Sequence, residues 1–217
     1  MPVSVPAANN SAQSRTQAER TARAESSMIL AAIELLNSVG IQGTTLVAIG
    51  ERSGYSRGLA SHHFGSKAGL LRTVLKRMTA VWAAQLVRSL DGKTGLRALT
   101  IAIDTHLEHV LRYPDYLRAM NILWGAALDP ASEFKPNVAE FMRIQRESVA
   151  AWVKGGQESG EIRPDVDADR VAEQFYGTLI GLNHQWLVSP EIDLRAAYKD
   201  YQQNILRLLS AKTPPRN

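Results

Sequence analysis

Apolar side chains in this chain recur every three or four residues from about Thr21 onward, and no stretch alternates apolar with polar as a half-buried strand would. That rhythm restricts the fold to an all-α architecture. The turn residues then divide it into nine helices. The first runs from about Thr21 to Val39. Its Ile29, Ala32, Ile33 and Leu36 form one stripe, and Gly40 stands where a left-handed cap ends a helix. A second, short helix starts near Thr44-Thr45 with a threonine hydroxyl as cap, turns Leu46 and Ile49 inward and stops at Gly54. Ser56 caps a third that ends near Phe64. A long fourth, about Lys67 to Leu90, carries Leu71, Leu75, Met78 and Trp82 on one face.

Five more helices follow at about 94–112, 114–128, 134–159, 168–187 and 191–211. Asp91-Gly92, Pro114, Asp129-Pro130, Gly160–Pro164 and Pro190 mark the breaks, and Asp167 is the cap of the eighth. Residues 1–20 read as a flexible tail, 21–66 as an N-terminal three-helix unit, 67–212 as a six-helix C-terminal domain and 213–217 as a frayed end.

Composition narrows the functional classes. There is no cysteine, so neither disulfides nor thiolate chemistry is available, which fits a cytoplasmic protein. The N-terminus lacks the apolar core of a signal peptide, and no apolar run approaches the roughly 18 residues of a membrane span. Residues 1–91 hold 10 Lys/Arg against 5 Asp/Glu, a net +5; residues 92–217 hold 15 against 16, a net −1. A basic front and a neutral remainder are expected of a DNA-binding unit followed by an effector unit.

Helices two and three, joined by a tight turn at Gly54-Tyr55, are the helix-turn-helix arrangement, with the motif over residues 45–64. The second helix of such a pair enters the major groove by its N-terminal residues. Here these are Ser56, Arg57, Gly58 and Leu59, then Ser61, His62 and His63. Arg57 is the donor able to grip guanine O6 and N7 together, and Gly58 lets the backbone come close. Lys67 can neutralise a phosphate, and Arg15, Arg20 and Arg23 can form a basic arm or phosphate contacts.

Residues 44–71, TTLVAIGERSGYSRGLASHHFGSKAGLL, resemble the DNA-binding signature of the TetR family of bacterial regulators, and ILAAIELLNSVG resembles its lead-in helix. The resemblance implies a three-helix operator-binding unit, with six further helices that bind a small-molecule effector and form a homodimer. It places Thr45, Ser56, Arg57, Gly58, Ser61, His62, His63 and Lys67 in the DNA-contact region, and implies a repressor, with no catalytic residues, cofactor or metal. Three positions depart from the family pattern. Ser61 stands where an aromatic residue is common and weakens one phosphate contact; Tyr55 replaces valine; Gly50 replaces alanine, at a helix cost of roughly 1 kcal/mol. The SHHFGSK segment is similar to members near the choline-responsive betaine-pathway repressor, but choline is not carried over as the ligand.

Competing readings exist. Gly54-Tyr55-Ser56-Arg57-Gly58 fits the G-x-S-x-G nucleophile elbow, which needs a preceding strand that is not evident. His62-His63 are adjacent on a helix and point apart, so one faces DNA and one packs inward rather than both sharing a metal. A helical adaptor without a DNA target is opposed by the basic front and Arg57. In the C-terminal part, Met120, Trp124, Phe141, Trp152, Tyr176 and His184 are the candidate ligand-binding residues. Leu194, Tyr198, Tyr201, Ile205 and Leu208 make a heptad-like seam. Val171, Phe175, Leu179, Leu182 and Trp186 make a matching stripe on the preceding helix, and together they form the expected dimer interface. The alternative is that both stripes are buried within one monomer.

Overall fold

The computed structural model describes residues 16–211. Among them are nine helices: α1 (Gln17–Gly43), α2 (Leu46–Ser53), α3 (Arg57–Phe64), α4 (Lys67–Leu90), α5 (Gly95–Arg112), α6 (Pro114–Ala126), α7 (Lys135–Glu158), α8 (Ala168–Val188) and α9 (Leu194–Leu209). Arg15 and the C-terminal Pro-rich end lie outside the described residues.

The tail expected through residue 20 ends sooner. Thr16 and Glu19 form a reciprocal capping box that starts α1 at Gln17, satisfying two otherwise orphan N–H groups. At the other end Gly40 (φ 66°, ψ −174°) kinks α1 rather than closing it. One more turn follows, and Thr44 seals it by donating from its hydroxyl and its N–H to the Gly40 carbonyl. The remaining start signals act as the hydroxyl and carboxylate rules require. Thr45, Ser56, Ser66, Asp167 and Asp193 each accept a backbone N–H at a helix start. By length and composition alone α1 is apolar enough to cross a bilayer, with a mean hydropathy of 1.3 over its best window. In the fold its Met28, Ile29, Ala32, Ile33 and Leu36 are buried in the core.

Two cores organise the chain. The first joins α1 to α4 as far as Met78 and also takes in Ala119 and Leu123 of α6, Phe134 and Val138. The second joins Leu86 of α4 to α5, α7, α8 and α9. Packing therefore does not divide at residues 66 and 67. Helix α6 lies along α1, where Asn37 donates to the Asp115 carbonyl at 3.0 Å. The far end is closed by a single antiparallel bridge between Ile162 and Ser210, with the Arg163 N–H donating to the Leu209 carbonyl at 2.9 Å.

The heptad seam has a different fate from the expected one. Leu194, Tyr198 and Ile205, and on α8 Val171, Phe175 and Leu179, are buried among the chain's own helices. They hold α8 and α9 to α5 and α7 instead of facing outward. Periodicity identifies a buried stripe but not the owner of the opposing surface, which is why the monomer-core alternative holds for these six residues. Leu182, Trp186 and Tyr201 are only half-buried and Leu208 is exposed.

Candidate DNA-reading surface and ligand cavity

Helix α3 stands on α2 and α4 through buried Ala60 and Phe64. Its opposite side, with Ser56, Arg57, Gly58 and His62, is exposed. Arg57 makes no ion pair or side-chain hydrogen bond among the described residues, so its five donors remain available to an outside acceptor. The hydroxyls of Thr45 and Ser56 accept from Ala48 and Leu59 at 3.1 Å, which leaves each hydroxyl proton free. Ser61 and His63 are half-buried, with His63 beside Phe64 at a ring separation of 5.9 Å. The two histidines thus differ in exposure, His62 exposed and His63 half-buried. Lys67 donates to the Gln42 carbonyl at 3.2 Å, so its ammonium is moored at the end of α1 with further donors left over. Arg20 and Arg23, on α1, border a depression completed by Ser53, Gly54 and Tyr55 at the helix-turn-helix turn.

Ser56 caps a helix and follows a helix, with no strand beside it, so the elbow geometry is not present. Among the described residues no three His, Cys, Asp or Glu side chains converge as metal ligands would.

The C-terminal helices enclose a cavity of about 80 Å³ whose walls come from α4, α5, α6, α7 and α8. Met120, Trp124, Phe141, Trp152 and Tyr176 line it, and Trp124 stacks on Phe141 at 6.3 Å. His184 does not. It is exposed and meets Asn121 at 3.3 Å, because the helical turn that carries Ile180 and Asn183 inward carries residue 184 out.

Sequence reasoning missed much of the polar wall. His106 and His109 of α5 lie edge-on to Trp82 at 5.0 and 5.5 Å. The Trp82 indole N–H donates to Gln145 at 3.0 Å. The Tyr198 hydroxyl donates to Asn183 at 2.7 Å, so it must accept from His106 Nδ1–H at 2.9 Å. That chain fixes the His106 tautomer, and burial pushes its pKa down to about 3. The available signal was a pair of histidines three residues apart on an amphipathic helix.

Comparison with known proteins now fits this geometry. Residues 29–74 match the family described as bacterial regulatory proteins, tetR family, and residues 129–198 match the tetracyclin repressor-like C-terminal domain. This chain belongs to the TetR family. Among curated relatives it is 34% identical over 80 residues to the HTH-type transcriptional regulator BetI of Burkholderia ambifaria, a stretch that is 35% of this chain and 41% of that protein. The chain thus matches less than half the length of these relatives. A transcriptional-regulator structure from Saccharomonospora viridis, in complex with choline, superposes with a TM-score of 0.76 at 19% identity, covering 89% of this chain and 99% of that one. NalD of Pseudomonas aeruginosa, the secondary repressor of the MexAB-OprM multidrug efflux pump, superposes with a TM-score of 0.72 at 20% identity, covering 90% and 100%. At such identities the likeness is one of fold.

The TetR-family comparison makes Gly50 interpretable. A Cβ there would lie 2.9 Å from the Tyr55 carbonyl oxygen and 3.0 Å from the Arg57 nitrogen. In this TetR member the turn closes directly onto α2, and Tyr55 folds its half-buried ring into the core beside it. Close backbone approach therefore offsets the propensity cost expected of glycine against alanine.

Proposed function

We propose that this chain is a homodimeric transcriptional repressor in the cytoplasm that grips a palindromic operator with α3 and releases it when a small molecule enters the C-terminal cavity. The observation that carries this is the shared walls. Trp82 and Met78 of α4 and Trp124 and Met120 of α6 line the cavity, and α4 and α6 also contribute to the core beneath the recognition helix. A ligand that wedges these helices changes the separation of two recognition helices in a dimer, so both half-sites are no longer met together. A 100-fold loss of operator affinity needs about 2.7 kcal/mol of coupling.

In this reading Arg57 reads a base, while Thr45, Ser56, Gly58, Ser61, His62, His63, Lys67, Arg20 and Arg23 position the helix on phosphates and groove edges. The dimer forms through the outer faces of α8 and α9, with Leu182, Trp186, Tyr201 and Leu208 in the contact. Phe175, Leu179, Leu194, Tyr198 and Ile205 stiffen those helices from below. BetI, the choline complex and NalD support this reading by fold and partial sequence, not by shared ligand.

The experiment is to select bound genomic fragments with the full chain, then titrate a cavity-binding compound with and without the selected operator. Linkage requires the operator to weaken compound binding by the same factor as the compound weakens operator binding. Equal compound affinity in both titrations overturns the release mechanism, and failure to enrich any fragment overturns the DNA reading.

A further inference from the structure

The cavity restricts its own occupant. Among the described residues no Asp, Glu, Lys or Arg lines it. Burial disfavours the protonated form of both its histidines, holding each below its usual value. Much of its polar wall is already satisfied internally: His106 and Asn183 are each joined to Tyr198 behind the wall, and Trp82 is joined to Gln145. Two groups are not. The Trp124 indole N–H and the Tyr176 hydroxyl are buried without a hydrogen-bond partner. They belong to different helices, α6 and α8, that meet at this cavity.

An indole N–H can only donate. Leaving it buried and unmet carries the desolvation penalty of the group with nothing in return, so an acceptor placed there is strongly favoured. A cation would fare badly by contrast. It would leave water with no carboxylate to receive it, while the Arg146 guanidinium makes itself felt at Tyr176. The attraction of the aromatic faces for a cation is smaller than the desolvation penalty that an unpaired charge carries.

We propose that the cavity takes a neutral, mainly apolar aromatic or alicyclic molecule bearing one acceptor oxygen, which seats on the Trp124 indole N–H with the Tyr176 hydroxyl as its second polar contact. This rests on the reading of the chain as a ligand-responsive regulator and names the class of its effector. A quaternary ammonium compound held by the aromatic rings is the competing occupant.

Two matched pairs of small probes test it on the full-length protein by calorimetry. Acetophenone is set against alpha-methylstyrene, which has the same shape without the acceptor. Then tert-butylbenzene is set against phenyltrimethylammonium, which has the same shape with a charge. The ketone is expected to bind about tenfold tighter than the alkene, the ratio one hydrogen bond gives. The neutral member of the second pair is expected to bind at least about tenfold tighter than the cation. Trp124→Phe is expected to abolish the ketone's advantage while leaving alkene binding in place, and Tyr176→Phe to reduce that advantage.

The wild-type pairs decide the ligand class even if a variant fails to fold. A cation that binds as tightly as its isostere overturns the proposal, as does a ketone with no advantage, or no binding by any probe at millimolar concentration. Retention of the ketone's advantage in folded Trp124→Phe overturns the seat. Operator release is scored separately. Probes that bind in the expected order but leave operator affinity unchanged refute the regulatory reading and leave the ligand class standing.

Discussion

Replacing Gly69 by alanine should damage the protein in a way helix propensity alone does not foresee. Gly69 sits in the first turn of α4, where alanine is ordinarily favoured by up to about 1 kcal/mol. A Cβ at this position, however, would stand 2.1 Å from the Phe64 carbonyl oxygen, at the end of α3. Contacts under about 3 Å essentially never persist, so the backbone must open by roughly 1 Å. Neither partner is a flexible side-chain tip. The Phe64 carbonyl accepts from the Ser66 N–H at 2.7 Å, and Gly69 donates to the Ser66 cap at 3.0 Å. Overpacking of this kind costs about 1–3 kcal/mol, and with the propensity gain of about 1 kcal/mol set against it the net loss should reach about 2 kcal/mol. In a chain of this size each kcal/mol moves Tm by roughly 2–4 °C. Gly58 is the internal control. A Cβ there would meet only Ser56 Oγ, at 3.7 Å. Gly58→Ala should therefore raise Tm slightly while weakening operator binding, whereas Gly69→Ala should lower Tm and, by shifting α3 against α4, weaken operator binding as well. Calorimetric melts and fluorescence anisotropy on a selected operator read the two effects. If Gly69→Ala raised Tm as Gly58→Ala does, the close approach of α4 to the end of α3 would be wrong.

Arg57→Ala should lose about 1–3 kcal/mol and relax preference at one base pair, while Lys67→Ala should weaken all sequences alike and reduce the salt slope by about one; anisotropy over a panel of operator variants distinguishes them. Leu208, 54% exposed on α9, should lie in the dimer contact, so Leu208→Asp should shift light scattering toward the monomer without lowering helicity. His106 should make stability pH-dependent. Its folded pKa of about 3 lies below the ordinary 6.5, so the unfolded chain takes up this proton first and stability is lost as pH falls from 6.5 toward 3. His106→Gln keeps a donor for Tyr198 and should flatten the loss measured by denaturant titration between about pH 6.5 and 5, with only the His109 share remaining. An unchanged slope in that variant would refute the assignment.

Local signals were legible wherever a single segment decides the outcome. Gly54 enters the left-handed region at φ 76° to end α2, and Ser56 caps α3, because a hydroxyl and a missing Cβ act within a few residues of chain. Five of the six pocket candidates line the cavity for a related reason: large aromatic and apolar side chains at helical spacing must pack around something. What was not legible depends on two elements at once. The seam on α9 and the stripe on α8 read as an interface because periodicity marks a face without naming its partner, and the partner is partly the chain's own α5 and α7. Gly50 reads as a cost until the Tyr55 carbonyl is placed over it. Asn183 is 2% exposed and carries no sequence signal of its own, since its role exists only once Tyr198 arrives fifteen residues later in the chain.

The same distinction bears on how the two halves can communicate. Helix periodicity makes α4 the natural lever, because it is the one helix that leaves the reading unit in sequence. Packing adds a second arm. Helix α6 supplies Ala119 and Leu123 to the core under α3 and is tied to α1 through Asn37, yet its Met120 and Trp124 line the cavity. A molecule seated at Trp124 would press on α6 first and on α4 through Met78 and Trp82. Trp82 is held from three sides, by Gln145, His106 and His109, so it resists small displacements, whereas Trp124 has its N–H unspent. The softer wall is therefore α6. Substitution of Asn37 by alanine, which removes the only side-chain hydrogen bond between α1 and α6 among the described residues, should leave ligand affinity nearly intact while reducing the fold by which ligand weakens operator binding. Titrating ligand against operator in Asn37→Ala measures that coupling directly, and an unchanged coupling would return the lever to α4 alone.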